Sequence, residues 1–251
     1  MIVVVLPAYN EQDTIVPLVE NIRKTAQKRF IEMMKIVVVD DGSSDDTAAQ
    51  VNALTDEDTI LVRHPQNRGL GEAIKTGFLH ALNLHPDVDT IITMDSDNTH
   101  TPGLLARMIM TLDEGNDMVI ASRYRPGARV VGLSWYREIL SIGMSWMFRL
   151  LLPIPGVRDY SCGYRAYRAA LLKEAFKKWG DQFVCQSGFS CIVDILLKLH
   201  RLGAIITEVP LIIHYDYKRG KSKMNVTKTI RETLRLALRE RTERWGKSHA
   251  R

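Results

Sequence analysis

Two carboxylates in the first half of the chain have the spacing of a cation-binding motif. Asp95 and Asp97 are separated by one residue and directly follow the apolar run 90–94. A run of this β-branched composition predicts a buried strand, and open α/β sheets bind ligands at the carboxyl ends of such strands. Carboxylate oxygens favour Mg²⁺ or Mn²⁺, which proteins hold through one or two carboxylates and the phosphates of a substrate. We therefore predict a metal site at Asp95 and Asp97; the alternative is a solvated acidic loop.

The amino terminus predicts a strand that ends at the same edge of the sheet. Residues 2–6 form an apolar run, and we expect Pro7 to end the strand because proline cannot donate a ladder hydrogen bond. Residues 9–11, Tyr-Asn-Glu, then lie at the carboxyl-end edge. The alternative is a simple turn before a helix that begins near Asp13. A strand that begins at residue 2 also leaves no room for a secretory signal.

A second acidic cluster combines adjacent carboxylates with turn residues. The apolar run 35–39 is followed by Asp40, Asp41 and the turn segment 42–46. The turn segment can cap a helix that begins at Thr47. Capping does not explain Asp40 and Asp41, which repel each other unless they bind donors or a cation. Since a carboxylate at this position can accept from a ribose hydroxyl or a base N–H, we favour nucleotide recognition.

A glycine-containing segment follows the next predicted strand, 58–64. It reads Asn-Arg-Gly-Leu-Gly over residues 67–71 and precedes a helical pattern of apolar residues that extends to Ala81. The third glycine and the spacing of the dinucleotide fingerprint are missing, which argues against a nicotinamide cofactor. We expect Arg68 to contact a phosphate, and the two glycines to serve a turn and close packing.

Four motifs, in this order, resemble a known family. They are Leu6-Pro7-Ala8-Tyr9-Asn10-Glu11, Val39-Asp40-Asp41-Gly42-Ser43, Asn67-Arg68-Gly69-Leu70-Gly71 and Met94-Asp95-Ser96-Asp97. The set resembles family 2 glycosyltransferases of the GT-A fold. Further segments are similar to the dolichyl-phosphate mannose synthase branch: Ser122-Arg123-Tyr124, residues 161–167, Glu208-Val209-Pro210 and Gly220-Lys221-Ser222-Lys223. The resemblance implies an α/β fold with a Rossmann-like, mostly parallel sheet flanked by helices, and the alternating strand and helix patterns of residues 2–123 agree.

The resemblance also implies an activity and a set of site residues. A sugar, mannose or glucose, would move with inversion from a nucleotide-diphosphate sugar of the GDP-mannose or UDP-glucose type to a dolichyl or undecaprenyl phosphate. The implied nucleotide-sugar site comprises Pro7, Tyr9, Glu11, Val39, Asp41, Arg68, Asp95, Ser96, Asp97 and Arg123. The implied catalytic residues are Asp97, Arg123 and Lys223, and the implied acceptor-phosphate residues are Arg165, Lys218, Arg219 and Lys223. The chain departs from the family at residues 216–220, where the expected arginine is shifted to Arg219 or replaced by Lys218.

The chemistry of glycosyl transfer agrees with these residue types. The transition state resembles an oxocarbenium ion while a nucleoside diphosphate leaves, so charge develops on phosphate oxygens that a metal and basic side chains stabilise. A phosphate monoester acceptor, with a second pKa of about 6, is ionised near neutral pH and needs no strong base. A hydroxyl acceptor of a glycan or soluble molecule would need one, and Asp159 or Asp194 would be the first candidates.

Two function classes other than glycosyl transfer could use some of these features. A nucleotidyltransferase also uses paired carboxylates, but its Gly-rich, Lys-containing loop after the first strand is not present in residues 7–11. A non-catalytic binding module would bind nucleotide without Mn²⁺. The sequence pI of 9.1 is compatible with nucleic-acid binding. The chain nevertheless lacks aromatic residues interleaved with basic ones and lacks a recognised nucleic-acid-binding module, so we expect no nucleic-acid partner.

Charge is concentrated in the last part of the chain. The chain has 251 residues, enough for one large α/β core. We expect a catalytic domain over residues 1–217 and a basic acceptor loop with an amphipathic helix over 218–251, a segment that holds twelve Lys or Arg against three Glu. Such a helix suits an anionic membrane surface, and three cysteines without metal spacing suit a reducing compartment. We predict a cytoplasmic protein at the membrane surface. The sequence leaves open whether a membrane-anchoring protein recruits it.

A second segment also points to the membrane surface. The apolar stretch between Glu138 and Arg149 has 10 residues, fewer than the roughly 20 that span a bilayer. Trp135 and Trp146 suit the headgroup level, where aromatic rings settle. The alternative is an internal helix of the core.

Overall fold

The computed structural model describes residues 1–31, 33–133, 135–186 and 188–217, and in them strands and helices alternate along the chain. The strands are β1 (Ile2–Ala8), β2 (Met34–Asp40), β3 (Thr59–Arg63), β4 (Thr90–Thr93), β5 (Met118–Ser122), β6 (Arg129–Val131), β7 (Arg165–Arg168), β8 (Ile206–Pro210) and β9 (Ile212–His214). The helices are α1 (Ile15–Lys28), α2 (Thr47–Ala53), α3 (Leu70–Leu84), α4 (Leu105–Asp113), α5 (Trp135–Leu151), α6 (Ala169–Trp179) and α7 (Ser190–Arg201). Within these ranges no helix has both the length and the apolar character needed to span a bilayer.

Seven of the strands form one central sheet in the order β3-β2-β1-β4-β7-β5-β8. Four of its six neighbouring pairs are parallel, whereas β7 runs antiparallel to both β4 and β5. The prediction of a mostly parallel α/β sheet is therefore confirmed. β6 and β9 form a separate two-stranded sheet. Because β1, β2 and β4 are parallel neighbours, the three acidic or polar segments that follow them meet at one edge.

The first strand is longer than the sequence predicted. We expected Pro7 to end it, but β1 continues to Ala8 and pairs with β2 over its whole length. The pairing with β4 stops at Val5, which lies opposite Thr93. The Pro7 carbonyl faces that side and accepts a hydrogen bond from Ser96 Oγ at 2.8 Å. Proline is tolerated here because its missing N–H would point beyond the end of β4, where no ladder partner is needed.

The core is built from β-branched strand residues covered by helices. In β1, Val3, Val4 and Val5 are completely buried. Gly77 lets α3 approach this layer, because a Cβ atom at Gly77 would collide with a methyl group of Val5. Gly71 likewise lies against the Gln186 carbonyl, so a side chain there would collide with backbone. The predicted close packing of this segment is confirmed, and it places the amino end of α3 beside the edge where β2 ends.

The sequence pattern predicts helices over residues 169–179 and 186–202, and an end before Pro153 for the apolar helix that precedes them. α6 covers Ala169–Trp179 as predicted, and α5 ends at Leu151, before Pro153. The last helix, α7, begins at Ser190 rather than at Gln186, after a loop that packs on α3. α5 has one face against the protein, where Ser145 and Phe148 are buried. The alternative of a wholly internal helix is wrong, since its opposite face is exposed.

Candidate active site

The acidic pair lies directly beyond the end of β4. Asp95 and Asp97 are half-buried, and Ser96 between them is buried. The loop is fixed by Ser96 Oγ on the Pro7 carbonyl and by Thr99, whose N–H and hydroxyl donate to Asp97 Oδ1 at 3.2 and 2.6 Å. The two carboxylates are therefore held beside the end of β1, as the sequence predicted.

Asp95 is packed against the backbone of a distant loop. The Asp95 N–H donates to His100 Nδ1 at 3.3 Å, and the His100 ring is stacked on Tyr164. Gly163 lies so close that a Cβ atom there would be 2.9 Å from Asp95 Oδ1. The orientation of this carboxylate thus depends on residues far along the chain.

The donor set of the acidic pair fits a hard divalent cation. In the described part of the chain no group of three or more His, Cys, Asp or Glu residues could enclose a metal ion by itself. Asp95 and Asp97 supply carboxylate oxygens only, which suits Mg²⁺ or Mn²⁺ when phosphate oxygens complete the coordination. Such an ion would provide positive charge for a leaving diphosphate.

The segment after β1 is tied to the segment after β2. The Asn10 N–H donates to Ser43 Oγ at 2.9 Å, and the Ser44 N–H donates to the Asn10 side chain at 2.8 Å. The Glu11 N–H donates to Thr47 Oγ1 at 2.8 Å. The positive φ of Asn10, 52°, allows this turn. Tyr9 and Glu11 are half-buried at this edge, where the sequence placed them.

Protein donors resolve the repulsion between the two adjacent carboxylates after β2. Asp40 accepts from the Ser43 N–H and pairs with Arg63. Asp41 accepts from the amides of Arg68 and Gly69, at 2.9 and 2.8 Å, and its Oδ1 lies 2.7 Å from His64 Nδ1. Asp41 is only 3% exposed, so its first role is to order the loop before α3. A contact between Asp41 and a ribose stays a prediction.

Three residues predicted for the nucleotide site are packed or bonded within the protein itself. The Val39 side chain is completely buried beneath α3 near Gly77, and a contact between Val39 and the nucleotide stays a prediction. The Arg68 guanidinium pairs with Glu72 at 2.6 Å on the surface. The Ser96 hydroxyl is used by the Pro7 carbonyl.

Arg123 follows β5 and is held by one buried carboxylate. Its N–H, Nε and one terminal nitrogen donate to Asp159 at 3.0, 2.8 and 2.7 Å, and the same terminal nitrogen reaches Ser161 Oγ at 2.8 Å. Burial alone would raise the pKa of the Asp159 carboxyl, but the Arg123 guanidinium holds that pKa below its usual range. Asp159 is therefore an ionised partner of Arg123 and a poor proton acceptor.

Arg165 does not belong to an acceptor site. It was predicted to bind the acceptor phosphate, yet its side chain is completely buried and donates to the backbone carbonyls of Ile192 and Tyr160 at 2.6 and 2.7 Å. It joins β7 to α7, and because the buried guanidinium is already engaged by these carbonyls, that prediction is wrong. Lys218, Arg219 and Lys223, the other predicted acceptor residues, lie outside the described residues.

The second candidate base is also engaged. Asp194 lies on α7, is 3% exposed and pairs with Lys198 at 2.6 Å. Burial raises the pKa of its carboxyl, against the opposing effect of Lys198. The Lys198 ammonium group also donates to the carbonyls of Gln182 and Phe183, so the pair fastens the loop before α7.

Two polar side chains support the site through contacts that the sequence did not predict. His64 is buried between Asp41 and Thr76, with Nε2 2.9 Å from Thr76 Oγ1. Glu208 lies on β8 and accepts from the backbone N–H groups of Arg158 and Asp159. Glu208 belongs to the segment Glu208-Val209-Pro210 that carries part of the family resemblance, but that segment does not reveal its contacts.

Residues 3–176 match the model of the family described as glycosyl transferase family 2. The chain belongs to this family. It is 33% identical over 234 residues to the polyprenol monophosphomannose synthase of Mycolicibacterium smegmatis. This alignment covers 92% of this chain and 83% of that protein. It is 30% identical over 234 residues to the dolichol-phosphate mannosyltransferase of Pyrococcus furiosus, covering 92% of this chain and 61% of that longer protein.

A solved structure gives the same fold at lower identity. Glucosyl-3-phosphoglycerate synthase from Mycobacterium tuberculosis, solved with Mn²⁺, uridine diphosphate and glucosyl-3-phosphoglycerate, superposes with a TM-score of 0.67. The match has 22% sequence identity and covers 96% of this chain and 79% of that one. The chain is thus a glycosyltransferase, and the alternatives of a nucleotidyltransferase and a non-catalytic module are dropped.

Proposed function

We propose that this protein transfers mannose, with inversion, from a nucleotide-diphosphate sugar to a polyprenyl phosphate. The relatives named above support the sugar and the lipid phosphate acceptor. The observation that carries the proposal is the state of the two candidate bases. Asp159 is bound by Arg123, and Asp194 is bound by Lys198.

A phosphate acceptor suits a site in which Asp159 and Asp194 are both engaged in ion pairs. A hydroxyl nucleophile must lose a proton as it attacks, whereas a phosphate monoester is already ionised near neutral pH. What such a reaction requires is positive charge around two phosphate groups, one that leaves and one that attacks. Arg123 is proposed as one source of this charge, with Lys218, Arg219 and Lys223 from the segment 218–251 as others.

A divalent cation at Asp95 and Asp97 is the second part of the proposal. The carboxylates are half-buried and fixed by the loop that follows β4, so they are preorganised for a diphosphate. Pro7, Tyr9, Glu11 and Asp41 lie on the neighbouring strand ends and are proposed to form the nucleoside side of the site. Ser96 supports this arrangement through the Pro7 carbonyl.

We also propose that the protein binds the membrane surface through α5. Its exposed face is apolar, although the protein surface around a helix is normally polar. The exposed residues are Trp135, Ile139, Leu140, Ile142, Trp146 and Leu150. Arg149 lies over the Trp146 ring at 4.6 Å, a pairing that suits the headgroup level. The basic segment 218–251 is proposed to add attraction to anionic lipid and to act as a separate acceptor region.

The proposal is tested with lipid acceptors that differ in one group. The protein is incubated with Mn²⁺ and vesicles that contain undecaprenyl phosphate or undecaprenol, together with labelled GDP-mannose or UDP-glucose. We expect mannose label in the organic phase only with the phosphorylated lipid. Equal transfer to undecaprenol would replace the phosphate acceptor by a hydroxyl. Transfer from UDP-glucose alone would overturn the assignment of mannose.

A further inference from the structure

The buried carboxylate of Glu208 has no role in the function proposed so far. Its side chain is completely buried on β8, and its Oε1 accepts from the N–H groups of Arg158 and Asp159, both at 2.6 Å. Its Oε2 forms a long ion pair with Arg125, 3.7 Å from Nε. Burying a carboxylate is costly even when it has a long ion pair, so a specific benefit is expected where one occurs.

The two N–H groups belong to the loop that carries the partner of Arg123. Glu208 lies opposite Ile120 on β5, the strand that leads directly into Arg123. Asp159 therefore receives a hydrogen bond from Arg123 on one side, while its own backbone is held by Glu208 on the other. Glu208 joins the start of the loop to the sheet, and Asp159 joins the loop to Arg123.

We infer that Glu208 is a positioning residue for Arg123, acting through the 158–159 backbone and the Asp159 carboxylate. This inference rests on the proposed function, in which Arg123 faces a phosphate in the transition state. Arg123 has 14% of its side chain exposed, so its contact with a ligand is confined to a small part of the guanidinium. A small displacement of Asp159 would turn the exposed part of the Arg123 guanidinium away from the phosphate. Misplacement of a reacting group by about 1 Å can cost on the order of 100-fold in rate.

A matched pair of variants separates position from charge. Glu208→Gln keeps an oxygen that accepts both N–H groups but removes the charge, and Glu208→Met has nearly the same size without that acceptor. We expect kcat within about threefold of the original for Glu208→Gln, and a fall of about 10- to 100-fold for Glu208→Met. GDP binding with Mn²⁺, measured by calorimetry, is expected to stay unchanged in both, because the nucleoside side of the site lies on β1 and β2.

The route through Arg123 is tested by combining substitutions. If Glu208 acts through Arg123, then Glu208→Met costs little further activity in an Arg123→Lys background, and the two effects are not multiplicative. The Nε–H resonance of Arg123 in a ¹⁵N spectrum gives a readout without turnover, and we expect it to shift in Glu208→Met but not in Glu208→Gln. Should Glu208→Met fail to fold, Glu208→Asp, which keeps the charge but is one methylene shorter, replaces it with the same expected loss.

Each outcome bears on one of the two proposals. An original protein that is inactive with undecaprenyl phosphate contradicts the proposed function. An active original protein with an equally active Glu208→Met variant overturns the positioning role. Equal losses in Glu208→Gln and Glu208→Met, or multiplicative effects with Arg123→Lys, also overturn it, since charge or general stability would then be the cause.

Discussion

Gly163 and Asp95 lie so close that the glycine leaves no room for a side chain. A Cβ atom at residue 163 would be 2.9 Å from Asp95 Oδ1, and Gly163 has no positive φ that would by itself require glycine. Glycine is therefore needed at residue 163 because of the neighbouring carboxylate, and not because of its backbone conformation. Gly163 also fixes its own position, because its carbonyl accepts from Thr93 Oγ1 at 2.7 Å.

Replacing Gly163 with alanine is expected to weaken metal binding. The added methyl group displaces the Asp95 carboxylate, and disturbed outer contacts of a metal ligand typically cost about 10-fold in affinity. Calorimetric titration of Mn²⁺ in the presence of GDP measures the change. Gly143→Ala is the control, since a Cβ atom there meets open space. An unchanged Mn²⁺ affinity in a folded Gly163→Ala variant would contradict the prediction.

Asp97→Asn is expected to abolish transfer. The amide keeps the size of the side chain and one acceptor oxygen for Thr99, but it loses the charge that a divalent cation requires. We expect at least about a 100-fold fall in kcat, as is usual when charge stabilisation of a leaving group is lost. Asp87→Asn, at an exposed carboxylate, is the control and should keep full activity. Normal turnover by Asp97→Asn would remove this residue from the catalytic set.

Trp146→Glu is expected to reduce sedimentation with anionic vesicles. The substitution puts a charge into the exposed apolar face of α5 and removes the ring over which Arg149 lies. GDP binding should not change. Met110→Glu is the matched control, because Met110 is an equally exposed apolar residue on α4. If both variants sediment like the original protein, α5 is not the membrane-facing element.

The Arg123–Asp159 pair predicts a specific pH dependence of stability. The pKa of Asp159 is lower in the folded protein than in the unfolded chain, so its contribution is complete above the unfolded pKa of about 4 and is lost as the pH falls through the folded pKa. Asp159→Asn should lower the free energy of unfolding by about 3 kcal/mol at pH 7, because it leaves a mostly buried guanidinium without its partner.

Urea unfolding from pH 7 to pH 3 measures this effect. The difference between Asp159→Asn and the original protein should shrink as the pH falls. Asp89→Asn serves as the control, since the Asp89–Arg168 pair has an exposed carboxylate and should contribute less than about 1 kcal/mol. A constant difference at every pH would mean that Asp159 acts through something other than its charge.

The sequence predicted the elements that have a regular pattern. Apolar β-branched runs indicated β1 to β4, and the acidic or turn residues after them were brought to one edge because parallel strands share their direction. The antiparallel insertion of β7 was not predicted, because a four-residue strand has no pattern that reveals its neighbours. The partners of Arg165 and Asp194 were likewise hidden, since side-chain pairing depends on tertiary packing. The burial of the Val39 side chain beneath α3 was hidden for the same reason.

The place of β7 in the sheet has a consequence for how the enzyme is made. This strand lies between β4 and β5, although it is synthesised more than forty residues after both. A nascent chain that has left the ribosome only as far as α5 therefore holds an incomplete sheet, with β4 missing one neighbour. The contacts of Gly163 with Thr93 and Asp95 form only after this late strand inserts. The acidic pair therefore gains its support from Gly163 only after residues 163–168 have been synthesised, and a shortened translation product that stops before β7 lacks these contacts.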